Sequence, residues 1–142
     1  MKKHLFLIIA LYFKLNAWAS YLLIPMDDTQ TNHLKAYGIA YWVLENQQEV
    51  DWLLNFRGGS FLIKNQSLIE KECKVRGVSY QIIADVQSTQ ILRKISGPEV
   101  NQDVVKLEKV PKIAVYSPKS KLPWDDAVTL ALSYAEIPYD LV

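Results

Sequence analysis

Cysteine is almost absent. The chain of 142 residues has one, Cys73, so no internal disulfide can form and packing must hold the fold together. Histidine is nearly as scarce, with only His4 and His33, too little imidazole for a histidine-built metal site. Neither sign of charge dominates. Sixteen Lys and Arg stand against fifteen Asp and Glu, which excludes the basic footprint of a nucleic-acid binder. No apolar run approaches the ~20 residues that cross a bilayer. Low-complexity segments and blocks of like charge are missing. So are the glycine signatures of phosphate sites: there is no G-x-G-x-x-G, and no G-x-x-x-x-G-K followed by Ser or Thr.

What is present begins at the amino terminus. Lys2, Lys3 and His4 precede nine apolar residues, Leu5 to Phe13, and Ala17-Trp18-Ala19 offers small side chains at −3 and −1. This is the layout of a secretory signal peptide cut after Ala19, so the protein is expected to be exported, periplasmic or extracellular, and free of the membrane after cleavage. Residues 1–19 carry three lysines and no acid, so the remaining 123 residues have a net charge of −2 and suit one domain. In an oxidising compartment Cys73, within the helical stretch "SLIEKECKVRG", reads as a packed, inert thiol.

Strand and helix signals then alternate. "YLLIP" (21–25) predicts a buried strand ended by Pro25. Residues 31–46 repeat apolar side chains at helical spacing, with Asp28, Thr29, Thr31 and Asn32 as N-cap candidates and Gly38 suited to close packing of helix on sheet. "EVDWLLNF" (49–56) is a second strand, 65–77 a helix stopped by Gly77, 78–83 a third strand and 86–95 a short helix. Residues 99–111 read as an irregular connection. A strand (112–117), a loop, a helix (124–136) and a strand (138–142) follow, with Pro123, Asp125 and Asp126 suited to the helix start.

Such alternation predicts an α/β fold of parallel β-α-β units, Rossmann-like or flavodoxin-like. The expected organisation is a signal peptide (1–19), a first α/β unit (20–98), a connection (99–111) and the start of a second α/β unit (112–142). The last strand has no covering helix after it, so the fold is expected to be incomplete at its carboxyl end.

Ligands of parallel α/β sheets bind beyond the carboxyl ends of the strands. The first such loop, "PMDDTQTNH", holds Pro25 and two aspartates and makes a poor phosphate site. Asp27 and Asp28 suit sugar hydroxyls, an amine or a hard cation, or else the start of the helix, and His33 stands in its first turn. The second loop is "RGGS". Arg57 can clamp a carboxylate or phosphate, while Gly58 and Gly59 are expected to take positive φ in a turn closed by Ser60. The first two strands are joined by a crossover helix, so they run the same way and Arg57 is expected to reach Asp27 or Asp28. Trp42, Trp52 and Trp124 lie in apolar patterns that suit a core.

The segments "IPMDDTQTNHLKAYGIAYWVLENQQEVDWLLNFRGGSFL" and "VVKLEKVPKIAVYSPKSKLPWDDAVTLALSYAEIPYDLV" resemble a family of exported bacterial proteins labelled "asparagine synthetase B". The resemblance covers nearly all of the chain after residue 19. It implies a longer protein, whose remaining part is similar to class I glutamine-amidotransferase domains and carries any nucleophile beyond Val142. An ATP loop of an asparagine synthetase has Ser-Gly-Gly-x-Asp-Ser. Here Arg57 stands in place of the first serine, Phe61 near the place of the aspartate, and the second serine is missing.

Three functions follow as expectations. One is the amino-terminal part of an exported, amidotransferase-like or hydrolase-like protein acting on a small polar ligand. Another is a noncatalytic module for a sugar or peptide. The third is a glutamine-dependent asparagine synthetase. The ligand residues expected are Asp27, Asp28, His33, Arg57, Gly58, Gly59 and Ser60, with no metal and no assigned cofactor.

Overall fold

The computed structural model describes residues 20–116 and 127–142. The expected signal peptide, Pro123, Trp124, Asp125 and Asp126 lie outside the described residues. The chain runs β1 (Ser20–Ile24), α1 (His33–Glu45), β2 (Val50–Leu54), β3 (Ser60–Lys64), α2 (Ser67–Arg76), β4 (Gln81–Ala84), α3 (Asp85–Ile95), β5 (Asp103–Leu107), β6 (Ala114–Val115), α4 (Ala127–Ala135) and β7 (Asp140–Leu141).

Helices and strands do alternate, but the main sheet is antiparallel, which corrects the expected Rossmann-like or flavodoxin-like parallel sheet. Its order is β4-β1-β3-β2-β5. The reason lies in residues 55–59. They turn β2 straight back into β3, and β3 slides between β1 and β2, so that Ile63 faces Leu22 on one side and Val50 on the other. β1 and β2 still run in the same direction, but they never touch. The string β-α-β-β-α-β in this order is the split β-α-β, or ferredoxin-like, arrangement. To it are added α3 and β5, the latter paired with β2 inside the stretch expected to be an irregular connection. A small second sheet pairs β6 with β7 in parallel, Ala114 against Asp140 and Val115 against Leu141.

Side chains alternate across the main sheet with period two. Leu22, Ile24, Val50, Phe61 and Ile63 face α1 and α2, meeting Ile39, Val43, Ile69 and Cys73. Leu23, Leu53 and Leu62 face the other way, toward Ile91, Leu92 and Ile95 of α3. Each fully buried aliphatic side chain stabilises the fold by roughly 1.5–3 kcal/mol. Local chemistry sets the ends of the helices. The Asn32 side chain accepts from the Lys35 amide and caps α1, and Gly77 closes α2 at φ +68°. Gly38 packs against α4 and not against the sheet. A Cβ there would run into the backbone carbonyl of Ala135.

Candidate functional site

Two loops meet at one edge of the main sheet: residues 25–32 after β1, and the hairpin loop 55–59. The hairpin loop bends through positive φ at Asn55, Arg57, Gly58 and Gly59. Gly58 has no alternative, because a Cβ would collide with the Met26 carbonyl. Arg57 at φ +47° holds a conformation that costs a non-glycine residue roughly 1–2 kcal/mol. Its contacts on both sides hold it there. The Met26 amide donates to the Arg57 carbonyl at 3.0 Å. The guanidinium donates from Nε to Asp27 Oδ2 at 2.6 Å, and from Nη2 to Asp27 Oδ1 at 3.3 Å and Thr29 Oγ1 at 3.0 Å.

Asp27 is the centre of this clasp. It also accepts from the Thr29 amide at 3.1 Å and from the Thr29 hydroxyl. The Arg57 hydrogen bond first, and the Thr29 hydroxyl second, hold its carboxyl well below the usual carboxylate range. Asp28 lies beside it, exposed, and makes no hydrogen bond among the described residues. His33 opens α1, and its Nε2 lies 3.2 Å from the Met26 carbonyl. Ser60 is fully buried, with its hydroxyl donating to the carbonyls of Phe56 at 3.0 Å and Arg57 at 3.3 Å. Of the seven expected residues, the structure joins Asp27, Arg57 and Gly58 directly, sets His33 on the same loop, and turns Ser60 inward.

The hairpin loop is poorly built for phosphate. A phosphate cradle needs free backbone N–H groups, and the amides of Gly59 and Ser60 are both spent on the Phe56 carbonyl, each at 3.0 Å. The arginine itself has a different opening. Arg57 Nη1 donates to Gln81 Oε1 over a long 3.3 Å and borders a cleft of about 430 Å³ between the hairpin loop and α3. The apolar lining of this cleft is Leu23, Phe56, Ile83 and Ile91, and α3 adds Gln87, Gln90 and a second cation, Lys94. No acidic side chain among the described residues lines it.

Sequence reasoning missed four contributors. Thr29 and Gln81 complete the arginine's bonds. Lys94 is brought in by α3. Buried Gln30 fixes the β1 loop, donating to the carbonyls of Pro25 at 2.8 Å and Ser79 at 3.1 Å while accepting from the Ser79 amide at 2.8 Å. Only Thr29, two residues after Asp27 as in an Asx turn, offered a local signal.

Cys73 sits in the core with no exposed surface, and burial pushes its thiol up to about 12. Among the described residues no group of three His, Cys, Asp or Glu gathers to hold a metal ion, and no helix is long and apolar enough to cross a membrane. Comparison with protein-family models, curated proteins and solved structures finds no match for this chain.

Proposed function

We propose that the chain is the amino-terminal part of an exported protein resembling the "asparagine synthetase B"-labelled family, and that this part binds a small anionic ligand with an apolar body. The observation that carries the reading is the cleft beside Arg57. Two cations, Arg57 and Lys94, border an apolar lining with no acid among the described residues that form it. Arg57 is already oriented by Asp27, so little ordering entropy remains to be lost on binding. A carboxylate suits the site better than a phosphate, since the loop amides are engaged. ATP-ligase chemistry draws no support from this loop for the same reason.

The test is titration of the folded protein with 4-methylpentanoate and with inorganic phosphate, followed by amide NMR shifts. The expected result is saturable movement of residues around 56–57 and 81–94 by the carboxylate. Lys94→Ala, which leaves the Asp27 clasp untouched, weakens it by about tenfold or more, as loss of a hydrogen bond to a charged group predicts. No shift in that region with either anion contradicts the reading.

A second reading concerns the β6-α4-β7 unit. Tyr116, Val128, Leu130, Leu141 and Val142 are all more than half exposed, an unusual run of apolar surface for a unit this small. We assign this face to the amidotransferase-like remainder that the resemblance implies beyond Val142. Extending the polypeptide with the coding sequence that follows should bury Leu130 and Leu141, as measured by solvent labelling. Unchanged exposure in the longer protein contradicts it.

A further inference from the structure

A second cleft lies on the same face of the main sheet as α3 but toward the opposite ends of β1 and β2, and no described residue of α3 lines it. Its volume is about 330 Å³. The strand register explains its chemistry. One cross-strand row on this face reads Lys106, Asp51, Leu62 and Leu23 from β5 to β1, and the next brings Lys64 beside Tyr21. The apolar surface of the face therefore gives way to charge within one row, with the half-buried Tyr21 and the almost wholly covered Leu62 among the lining residues.

Two of the four charges there are already matched. Lys106 Nζ donates to Glu49 Oε2 at 2.8 Å, and the Gln48 and Gln66 carboxamides bridge the rim at 2.9 Å. Neither of the other two makes an ion pair or a side-chain hydrogen bond among the described residues, although Lys106 stands opposite Asp51 across the strand pair. Asp51 sits on an interior strand, partly buried, and its carboxylate accepts no hydrogen bond among the described residues; burial raises its carboxyl above the ordinary value. Lys64 is its diagonal neighbour on β3, a spacing of roughly 7–8 Å between Cα atoms. No ion pair joins the two among the described residues.

We infer that this cleft binds a small zwitterion carrying an ammonium and a carboxylate, the ammonium at Asp51, the carboxylate at Lys64, and an apolar side group against Tyr21. An ammonium supplies the donors that the Asp51 carboxylate lacks, and the ligand carboxylate supplies the acceptor that Lys64 lacks. A ligand of one charge leaves the opposite partner unmet and meets a like charge nearby. The glutamine bridge walls the site. Lys106 stands opposite Asp51 across the strand pair and its charge acts on that carboxylate, but its hydrogen bond goes to Glu49, which leaves the Asp51 oxygens open to an ammonium. This site is separate from the Arg57 cleft and does not depend on it.

The probes are leucine and its two single-charge analogues, 3-methylbutylamine and 4-methylpentanoate, titrated into the whole chain and read by amide NMR. Leucine should move the amides of residues 48–51, 62–66 and 106 saturably. The amine and the acid should bind there at least about tenfold more weakly, each lacking one charge-assisted contact. 4-Methylpentanoate should act at residues 56–57 and 81–94 instead, so failure of one site is distinguishable from failure of the other. Asp51→Asn and Lys64→Gln, each near-isosteric and checked for native amide dispersion, should each weaken leucine by a similar factor. Absence of saturable leucine shifts in this cleft overturns the inference. So does equal binding of the three probes, or leucine affinity unchanged in both variants.

Discussion

Residues 20–107 and residues 114–142 are built from the same string of strand, helix and strand, yet they end as different sheets. In the first region the helix α1 joins β1 to β2, and the hairpin that follows inserts β3 between them. The result is a five-stranded antiparallel sheet with helices on both faces and a core in which Leu22, Ile24, Leu53 and Val50 have no exposed surface. In the second region α4 lies between β6 and β7 in the chain, and these two strands pair directly in parallel, with no other strand among the described residues between them. There Leu130 and Leu141 remain 69% and 64% exposed. The string alone does not decide the sheet. What decides it is whether the chain after the second strand can turn back at once, and in this protein residues 55–59 do that.

Breaking the turn should therefore have the largest effect. Gly58→Ala places a Cβ against the Met26 carbonyl at φ +80°. Backbone strain and overpacking together should cost about 2–4 kcal/mol, read as a lower urea midpoint. An unchanged midpoint would mean that the turn does not determine the insertion of β3.

The clasp comes next. Arg57→Ala should lower the urea midpoint with little change in slope. Its pH dependence has a definite sign. Asp27 has a folded pKa below its ordinary value, so its contribution is complete above about pH 4 and is lost as pH falls toward the folded value. The gap between wild type and Arg57→Ala should be full at pH 6 and narrow below pH 4. Asp51 has the opposite sign. Its raised pKa favours the fold as pH falls, so Asp51→Asn should be relatively more stable at pH 7 than at pH 4, as judged by urea midpoints.

Gly38→Ala sharpens the comparison by separating the two regions. The new methyl strikes the Ala135 backbone, so amide shifts across residues 127–135 should change, while the amides of β1 and β3 keep their shifts. The smallest effect belongs to Leu130→Ser on the exposed face of α4. Its cost should stay within about 0.5 kcal/mol, as at other surface positions.

The sequence showed some of this arrangement and concealed the rest for definable reasons. The helices were legible from spacing and caps, and Gly77 closes α2 in the left-handed conformation expected of it. The approach of Arg57 to Asp27 was legible because a crossover helix makes β1 and β2 run the same way, whether or not they pair. β3 was concealed because Ser60, Phe61, Leu62 and Ile63 are all buried, so the central strand lacks the alternation that marks a one-sided strand. β5 was concealed for the opposite reason. An edge strand tolerates charge, and Asp103 and Lys106 make it read as a loop. Lys94 was hidden because its place in the cleft depends on α3 crossing the second face, which is a tertiary fact.

The central claim is that residues 20–107 form a well-packed unit and the described part of residues 114–142 a more exposed one. Native-state amide hydrogen exchange tests it most directly, because exchange reports the opening free energy of each segment separately. The predicted result is protection near the global limit in β1 and β3, with amides of β6, α4 and β7 exchanging faster by about a hundredfold or more, a gap of about 2.7 kcal/mol or above. Equal protection across both regions would contradict the account.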